Sequence, residues 1–198
     1  MLLVHGRGAS AGDILSLADE LDGDDLFEAR SSMGFAYLAP QAAGSTWYPQ
    51  RFLAPLEQNE PWLSSALSAI DRVIRSIQSA GIPNERIMLL GFSQGACLAL
   101  EYAARQAHRF GGVVGLSGGL IGPELQPERY PGTFSGTPVF LGCSDIDPHI
   151  PLQRVNESAA HLKKMGADVT ARIYAGMGHT VNDEELEIVR NMMAITAG

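Results

Sequence analysis

The sequence predicts an α/β fold with a mainly parallel sheet and helices on both of its faces. Short apolar segments typical of buried strands alternate along the chain with longer segments whose apolar residues recur at helical spacing. Connections that alternate in this way place successive strands in parallel and lead the helices to either face. The composition does not change along the chain, so we expect one domain over residues 1–198, without a large cap domain.

Composition and charge narrow the functional classes. Of the 198 residues, 45% are hydrophobic and 18% are charged, which is usual for a globular protein with a substantial core. The formal charge of −8 argues against nucleic acid and against anionic membrane surfaces as partners. Cys97 and Cys143 are too few for a disulfide framework and lie in apolar segments, so we predict free thiols rather than nucleophiles.

The first elements are a strand, a glycine loop and a helix. Residues 1–4 form an apolar strand that leads into His5-Gly6-Arg7-Gly8, and Ser10 is placed to cap a helix with a regular apolar face. The glycine loop lacks the spacing of a nucleotide-binding loop, and its backbone N–H groups suit an oxyanion better. We expect the side chain of His5 to support this loop by hydrogen bonding rather than to act as a base.

A second strand is predicted at residues 33–39 and is followed by a long aromatic segment. A segment of this length without periodicity is usually functional or disordered, and Trp47, Tyr48 and Phe52 favour an ordered one. These aromatic side chains either contact the substrate or cover the core, and the sequence leaves both interpretations open.

The centre of the chain carries a nucleophile elbow. Ser93 lies in a G-x-S-x-G motif, in which a strained turn between a strand and a helix exposes the serine hydroxyl at the top of a sheet. The flanks agree, since residues 86–90 are an apolar strand and residues 96–107 are a helix rich in Ala and Leu. Ser117 lies in a second match, but glycines and prolines follow it where the elbow needs a helix. Ser93 is therefore the predicted nucleophile.

The remaining elements continue the alternation of helices and strands. They are a helix at 61–80, a strand at 112–116, an irregular connection at 118–136, a strand at 137–142, a helix at 152–165, a strand at 168–174 and a helix at 182–195. The sequence does not show whether the irregular connection acts as a lid.

Two loops that follow later strands carry the groups that a serine nucleophile needs. A serine hydroxyl requires a base within hydrogen-bond reach, and an acid must orient that base. His179 follows the last predicted strand on a glycine-rich loop, and Asp145 and Asp147 follow the strand before it. Serine, acid, histidine is the chain order of the α/β-hydrolase triad. Spacing does not choose between the two acids, although Pro148 stiffens the segment that presents Asp147.

Together these motifs resemble the phospholipase/carboxylesterase family of α/β-hydrolases, which includes acyl-protein thioesterases and small bacterial carboxylesterases. The resemblance is carried by GFSQGACLAL, the HGRG loop, the DPHIP segment and YAGMGHT, over nearly the whole chain. It implies an α/β-hydrolase fold with Asp147 as the acid, His179 as the base, and the backbone N–H groups of Arg7 and Gln94 as oxyanion donors. Because family members usually carry further chain before the HG loop, we also expect a sheet that is short at one edge.

These observations predict a serine carboxylester hydrolase that forms an acyl-enzyme and needs neither a metal nor an organic cofactor. The stretch TWYPQRF resembles the small bacterial esterases, which favours short-chain acyl or aryl esters, with Trp47, Tyr48 and Phe52 as candidate substrate-binding residues. A lysophospholipase or an acyl-protein thioesterase is the alternative within the class. A small-molecule receptor on a hydrolase fold, without turnover, is the alternative from another class.

The sequence also leads to expectations about location and partners. The first residues, MLLVHGRG, have neither the basic region nor the apolar core of a signal peptide, and no apolar run is long enough to span a membrane. We therefore expect cytoplasmic localisation, a small-molecule ester as the partner, no nucleic acid and no stable membrane anchoring. A homodimer is compatible with the sequence, which contains no information on the oligomeric state.

Overall fold

The computed structural model of the chain describes residues 1–22 and 34–198. The strands are β1 Leu2–Val4, β2 Met88–Phe92, β3 Gly112–Leu116, β4 Pro138–Ser144 and β5 Asp168–Tyr174. They form one fully parallel sheet in the order β1-β2-β3-β4-β5. The main helices are α1 Ala11–Asp22, α2 Trp62–Ser79, α3 Gln94–Arg105, α4 Leu152–Lys164 and α5 Asp183–Ala197.

The helices form two layers, one on each face of the sheet, which confirms the predicted architecture. Helices α2, α3 and α4 cover one face, in a core that includes Ile70, Leu98 and Val155, while α1 and α5 cover the other around Ile14 and Val189. The central strands are buried from both sides, which is why they appear in the sequence as uninterrupted apolar runs. No helix in the described ranges has both the length and the apolar character needed to cross a bilayer.

The start of α3 packs so closely on the sheet that only glycine fits at two positions. A Cβ atom on Gly91 would lie 2.2 Å from the carbonyl oxygen of Gly95, and one on Gly95 would lie 2.0 Å from the carbonyl oxygen of Val4. Both distances are much shorter than a van der Waals contact. The two glycines of the elbow motif therefore set how α3 meets β1 and β2, and with it the position of the serine between them.

Two strands continue further than predicted because their neighbours keep pairing with them. β2 starts two residues later than expected and extends to Phe92, which lies opposite Leu116 of β3. β4 extends two residues beyond its predicted end to Ser144, which lies opposite Tyr174 of β5. How far a strand pairs depends on the strand beside it, and the apolar pattern of one segment gives no information about that neighbour.

The strand predicted at residues 33–39 is wrong for the part that the structure describes. Residue 33 lies outside the described residues, and between 34 and 40 only Leu38 forms a bridge to the sheet. Its carbonyl oxygen accepts from Leu3 N–H of β1 at 2.8 Å, and its N–H donates to the carbonyl oxygen of Met1 at 3.0 Å. Pro40, two positions later, has no N–H group with which to continue the ladder. In the described sheet β1 is thus an edge strand with one bridged residue beyond it.

Two buried charged side chains hold the connection between β3 and β4. Glu101 of α3 accepts hydrogen bonds from Arg129, from the hydroxyl of Tyr130 at 3.0 Å and from Ile121 N–H at 3.0 Å. Arg154 of α4 donates to three carbonyl oxygens of the connection, those of Leu120, Gly122 and Pro123. Buried charges with this many partners are costly to separate. These contacts therefore fix the connection to both α3 and α4.

Candidate active site

Ser93 forms the turn between β2 and α3. β2 ends at Phe92 and α3 begins at Gln94, so Ser93 makes the reversal alone, with φ 56° and ψ −119°. A residue other than glycine is strained in this region, and strain of this kind is concentrated at functional positions. Ser93 remains partly exposed, although the helix that follows it is largely buried.

His179 and Asp147 form a chain of two hydrogen bonds with Ser93. The Nε2 atom of His179 lies 2.8 Å from Ser93 Oγ, and its Nδ1 atom lies 2.7 Å from Asp147 Oδ2. Asp147 follows β4 and His179 follows β5, so all three groups lie at the carboxyl ends of parallel strands. When Nδ1 donates its proton to the carboxylate, Nε2 is free to accept the serine proton.

Asp147 is maintained as a carboxylate by its hydrogen bonds. Burial by itself would raise the pKa of the Asp147 carboxyl. The bonds from His179 and from the N–H groups of His149 (2.8 Å) and Ile150 (3.0 Å) outweigh burial and lower this pKa below its ordinary value. The acid therefore remains ionised at neutral pH.

Asp145 has a different position. It is exposed, and its Oδ1 atom accepts a hydrogen bond from Gly176 N–H at 2.8 Å. Gly176 belongs to the loop that carries His179, so Asp145 joins that loop to the end of β4. The structure thus brings Asp147, and not Asp145, into contact with the histidine.

The glycine loop lies directly beside Ser93. A Cβ atom on Gly6 would be 3.4 Å from Ser93 Cβ, and Arg7 and Gln94 line the same cavity as the serine. Within the described residues, the N–H groups of Arg7 and Gln94 have no backbone acceptor. Both donors are therefore available to an oxyanion that forms next to Ser93.

The side chains of Arg7 and Gln94 hold the aromatic loop. The Arg7 guanidinium donates to the carbonyl oxygens of Tyr48, Pro49 and Gln50 at 2.8 to 2.9 Å. Gln94 accepts from Trp47 N–H at 3.0 Å and donates to the Tyr48 carbonyl at 2.9 Å. Each candidate oxyanion residue therefore also fixes the loop that closes the site.

A cavity of about 520 Å³ opens beside Ser93. Tyr48 and Phe52 line it, as two of the three candidate substrate-binding aromatics. Trp47 does not line it, because the ring is buried in the core behind the loop, where its indole N–H donates to the His5 carbonyl at 2.8 Å. The aromatic segment thus serves both the cavity and the core.

Sequence reasoning did not single out Arg51 and His149, which also line the cavity. The His149 ring meets the His179 ring edge-on, with centroids 4.8 Å apart and an interplanar angle of 73°. Its place two residues after Asp147 was a usable signal for His149. Arg51 offered no such signal, because an arginine in a loop is usually a solvated surface residue.

The other candidates have structural positions. His5 is buried, its Nδ1 atom lies 2.8 Å from the Gly6 carbonyl oxygen in the glycine loop, and its Nε2 atom accepts from Ala42 N–H at 3.1 Å, which confirms that it supports the loop. Ser117 is buried at the end of β3, and no α-helix follows it before α4. Burial raises the pKa of the Cys97 and Cys143 thiols to about 12, so neither is a thiolate at neutral pH. Residues 1–22 and 34–198 contain no cluster of three His, Cys, Asp or Glu side chains that could hold a metal ion.

Glu185 anchors the loop that carries His179 to α5. Asn182 and Glu185 form a reciprocal capping box, in which each side chain accepts a hydrogen bond of 3.0 Å from the backbone N–H of the other. The carboxyl group is fully buried and lies against β4, where a Cβ atom on Gly142 would be 2.0 Å from Glu185 Oε1. Burial raises the pKa of Glu185 to about 7, and the hydrogen bond from Asn182 N–H offsets only part of this effect.

We expect Glu185→Gln to remove a pH dependence of stability. Because the folded-state pKa lies above the ordinary value of 4.5, the folded protein keeps a proton that the unfolded chain releases. The free energy of unfolding of the parent protein should therefore fall by about 3 kcal/mol as the pH rises through the window from 4.5 to 7. Glutamine keeps the capping contact but does not titrate.

Urea unfolding at several pH values across this window measures the effect. Glu187→Gln is the matched control, since Glu187 is an exposed glutamate on the same helix and is not one of the charges that raise the pKa of Glu185, so the slope should be unchanged. A slope that is the same in Glu185→Gln and in the parent would contradict the assignment.

Comparison with known proteins identifies a family model and relatives to which the chain is similar. The family model described as Phospholipase/Carboxylesterase matches residues 1–197. A phospholipase/carboxylesterase of known structure from Dyadobacter fermentans superposes with a TM-score of 0.90 and 44% identity, covering 97% of this chain and 88% of that one. This similarity shows an α/β-hydrolase fold, and no large cap domain is present in the described residues.

Two acyl-protein thioesterases match by sequence over part of their length. That of Gibberella zeae is 38% identical over 112 residues, which is 56% of this chain and 48% of the relative. That of Saccharomyces cerevisiae is 31% identical over 126 residues, which is 62% of this chain and 55% of the relative. The match thus spans about half the length of these relatives.

Proposed function

The chain belongs to the phospholipase/carboxylesterase family, and from this premise we propose that it is a serine hydrolase that cleaves carboxylic esters through an acyl-enzyme. The observation that carries the proposal is the connected series of contacts from Asp147 through His179 to Ser93, at 2.7 and 2.8 Å. These are the distances at which a base can remove the serine proton while an acid orients it.

In the proposed first step, Ser93 Oγ attacks the carbonyl carbon while His179 Nε2 takes the hydroxyl proton. The ionised Asp147 stabilises the imidazolium that results. The carbonyl oxygen becomes an oxyanion, which the N–H groups of Arg7 and Gln94 would receive. Collapse breaks the ester C–O bond, His179 protonates the departing alcohol, and the acyl group remains on Ser93.

In the second step, water takes the place of the alcohol. His179 removes a proton from the water molecule, and the resulting hydroxide adds to the acyl carbon. The oxyanion forms at the same two N–H groups. When it collapses, the proton returns from His179 to Ser93 Oγ, the acid leaves, and the triad is restored.

Short-chain acyl or aryl esters are the substrates we propose. The cavity is bounded by Tyr48, Phe52 and Cys97, all of which are buried in the core, so these side chains limit its depth. The likeness to a bacterial phospholipase/carboxylesterase over nearly the whole chain supports a carboxylic ester as the bond that is cleaved.

Thioester hydrolysis is the second candidate, because the relatives matched by sequence are acyl-protein thioesterases. The same triad would attack either carbonyl, so the difference lies in chain length and leaving group. A series of 4-nitrophenyl esters of increasing acyl length, set against a palmitoyl thioester, separates the two. A higher kcat/KM for the palmitoyl thioester than for short esters would transfer the proposal to thioesters.

Labelling with a fluorophosphonate probe tests the proposed class of activity. We expect one phosphonyl group per chain, located on the peptide that contains Ser93, together with turnover of 4-nitrophenyl butanoate. A folded protein that binds such esters but neither turns them over nor reacts with the probe would be a receptor, and the proposal would be wrong.

A further inference from the structure

The charged side chains around the cavity are of one sign. Arg7 and Arg51 line it, and in the described part of the chain no aspartate or glutamate does. The acid of the triad, Asp147, is fully buried behind His179. This is unusual for a protein whose formal charge is −8. The cavity therefore has a local positive potential within an acidic protein.

Arg7 supplies a fixed part of this potential. Its guanidinium is held by the carbonyl oxygens of three consecutive residues, 48 to 50, and it forms no ion pair with a carboxylate in the described residues. Carbonyl groups satisfy the N–H donors but leave the full positive charge. The charge thus remains uncompensated on the residue whose backbone N–H is one of the two proposed oxyanion donors.

Arg51 differs in that its backbone is held and its guanidinium is free. The fully buried side chain of Asn59 accepts from Gln50 N–H at 2.8 Å and donates to the Arg51 carbonyl at 3.2 Å. The next carbonyl, of Phe52, accepts from Gly122 N–H at 2.8 Å. Arg51 itself is exposed, and within the described residues its guanidinium makes no hydrogen bond or ion pair. A rigid backbone therefore presents an unused cation at the cavity wall.

We propose that the cavity selects esters that carry a carboxylate, and that Arg51 is the residue that determines this specificity. The inference rests on the proposed esterase function and adds the charge of its substrate. A guanidinium binds a carboxylate through two parallel hydrogen bonds, which is stronger and more directional than a contact with a neutral amide. Holding the backbone in place lowers the entropic cost of forming that pair.

The carboxylate can lie on either side of the ester bond, so two substrate pairs are required. For the acyl side, mono-4-nitrophenyl adipate is compared with the ester in which the free carboxylate is a carboxamide. For the alcohol side, 4-carboxyphenyl butanoate is compared with 4-carbamoylphenyl butanoate. The ratio of kcat/KM for the anionic member to kcat/KM for its neutral partner is the selectivity ratio.

We expect the selectivity ratio of the parent protein to exceed that of Arg51→Gln by about tenfold in one of the two pairs, equivalent to ~1.4 kcal/mol. Arg51→Lys should retain part of the ratio because it keeps the charge but not the paired geometry. Arg72→Gln is the matched control, since it removes one exposed positive charge on α2, away from the cavity, and should keep the parent ratio. Raising NaCl from about 20 mM to about 500 mM should lower the ratio more in the parent than in Arg51→Gln, where only the charge of Arg7 remains at the cavity.

The outcomes separate this inference from the proposed function. If Ser93-dependent turnover is present but the ratios of the parent and Arg51→Gln agree in both pairs, the specificity proposal is wrong and the esterase proposal stands. If 4-nitrophenyl butanoate is hydrolysed but no ester of either pair is, only the specificity proposal is wrong; if none of these esters is hydrolysed, both proposals fail together. An equal loss of the ratio in Arg72→Gln would show an effect of net charge rather than of Arg51.

Discussion

Ser93→Ala is expected to reduce kcat for 4-nitrophenyl esters by on the order of 10⁶, to a rate close to the uncatalysed background. The hydroxyl is the attacking group that we propose, and among the described residues that line the cavity no other side chain can replace it. Cys97 is close, but burial raises the pKa of its thiol to about 12, so it supplies no thiolate at neutral pH.

The same change should leave the fold almost unaffected. Ser93 is partly exposed, and its side chain contributes one hydrogen bond, to His179, which is worth about 1 kcal/mol. Loss of activity with an unchanged Tm would therefore identify a chemical role. The measurements are kcat, Tm and labelling by the fluorophosphonate probe.

Ser117→Ala is the matched control for this experiment. Both serines lie in G-x-S-x-G sequences and both have positive φ, 56° for Ser93 and 52° for Ser117. Ser117 is fully buried and does not line the cavity, so most of the activity should remain. If Ser117→Ala lost its activity and Ser93→Ala kept it, the elbow would have been assigned to the wrong serine.

Asp147→Asn should lower kcat by about 10⁴, the loss typical of a neutralised triad acid. The carboxylate accepts the Nδ1 proton of His179, whereas an amide can donate to Nδ1 and so favour the tautomer with its proton on Nε2. In that tautomer Nε2 cannot accept the proton of Ser93. The variant keeps an oxygen for the N–H groups of His149 and Ile150, so the loop should remain in place.

Asp145→Asn is the matched control, because it changes the neighbouring acid in the same way. Asparagine retains an oxygen acceptor for Gly176 N–H, so kcat should remain within a few-fold of the parent. Near-normal kcat in Asp147→Asn beside a large loss in Asp145→Asn would transfer the acid to Asp145.

The pH dependence of stability provides a second readout for Asp147. Its folded-state pKa lies below the ordinary value of 3.8, so the carboxylate stabilises the folded protein above that pH, and the contribution is lost as the pH falls through the folded-state pKa. The difference in Tm between the parent and Asp147→Asn should therefore shrink in acid. A difference that grows on acidification would contradict the assigned ionisation.

Much of the fold could be predicted because each element has a local signature. β3 and β5 have the bounds expected from their apolar runs, and α5 begins one residue after its predicted start at Asn182, which forms the N-cap. The prediction of a strand around Leu38 is wrong, because the apolar composition of the segment suits a strand but β1 determines how many of its residues pair. Local pattern determines what a segment can become, and its neighbours determine how far it extends.

The residues of the candidate site also fall into two groups, those that the local sequence predicts and those that only a tertiary contact identifies. Ser93, the two acids and His179 were recognisable because each follows a strand in the triad's chain order, and the glycines of the elbow act on their immediate neighbours. The choice of Asp147 depended on a hydrogen bond between groups 32 residues apart. The spacing of residues within the loop cannot reveal a hydrogen bond to a residue so far away in the sequence.

The sequence alone established the α/β architecture and the elbow motif, and it also predicted the nucleophile and base that we propose. The periodicity of apolar residues and the steric freedom of glycine act over a few positions, so they can be read along the chain. Only the tertiary structure placed Trp47 in the core and Tyr48 at the cavity, and used the Arg7 side chain to hold a loop 41 to 43 residues away. It also left the Arg51 guanidinium without a partner among the described residues. These outcomes depend on contacts between distant segments, which form only when the packed sheet and helices bring those segments together.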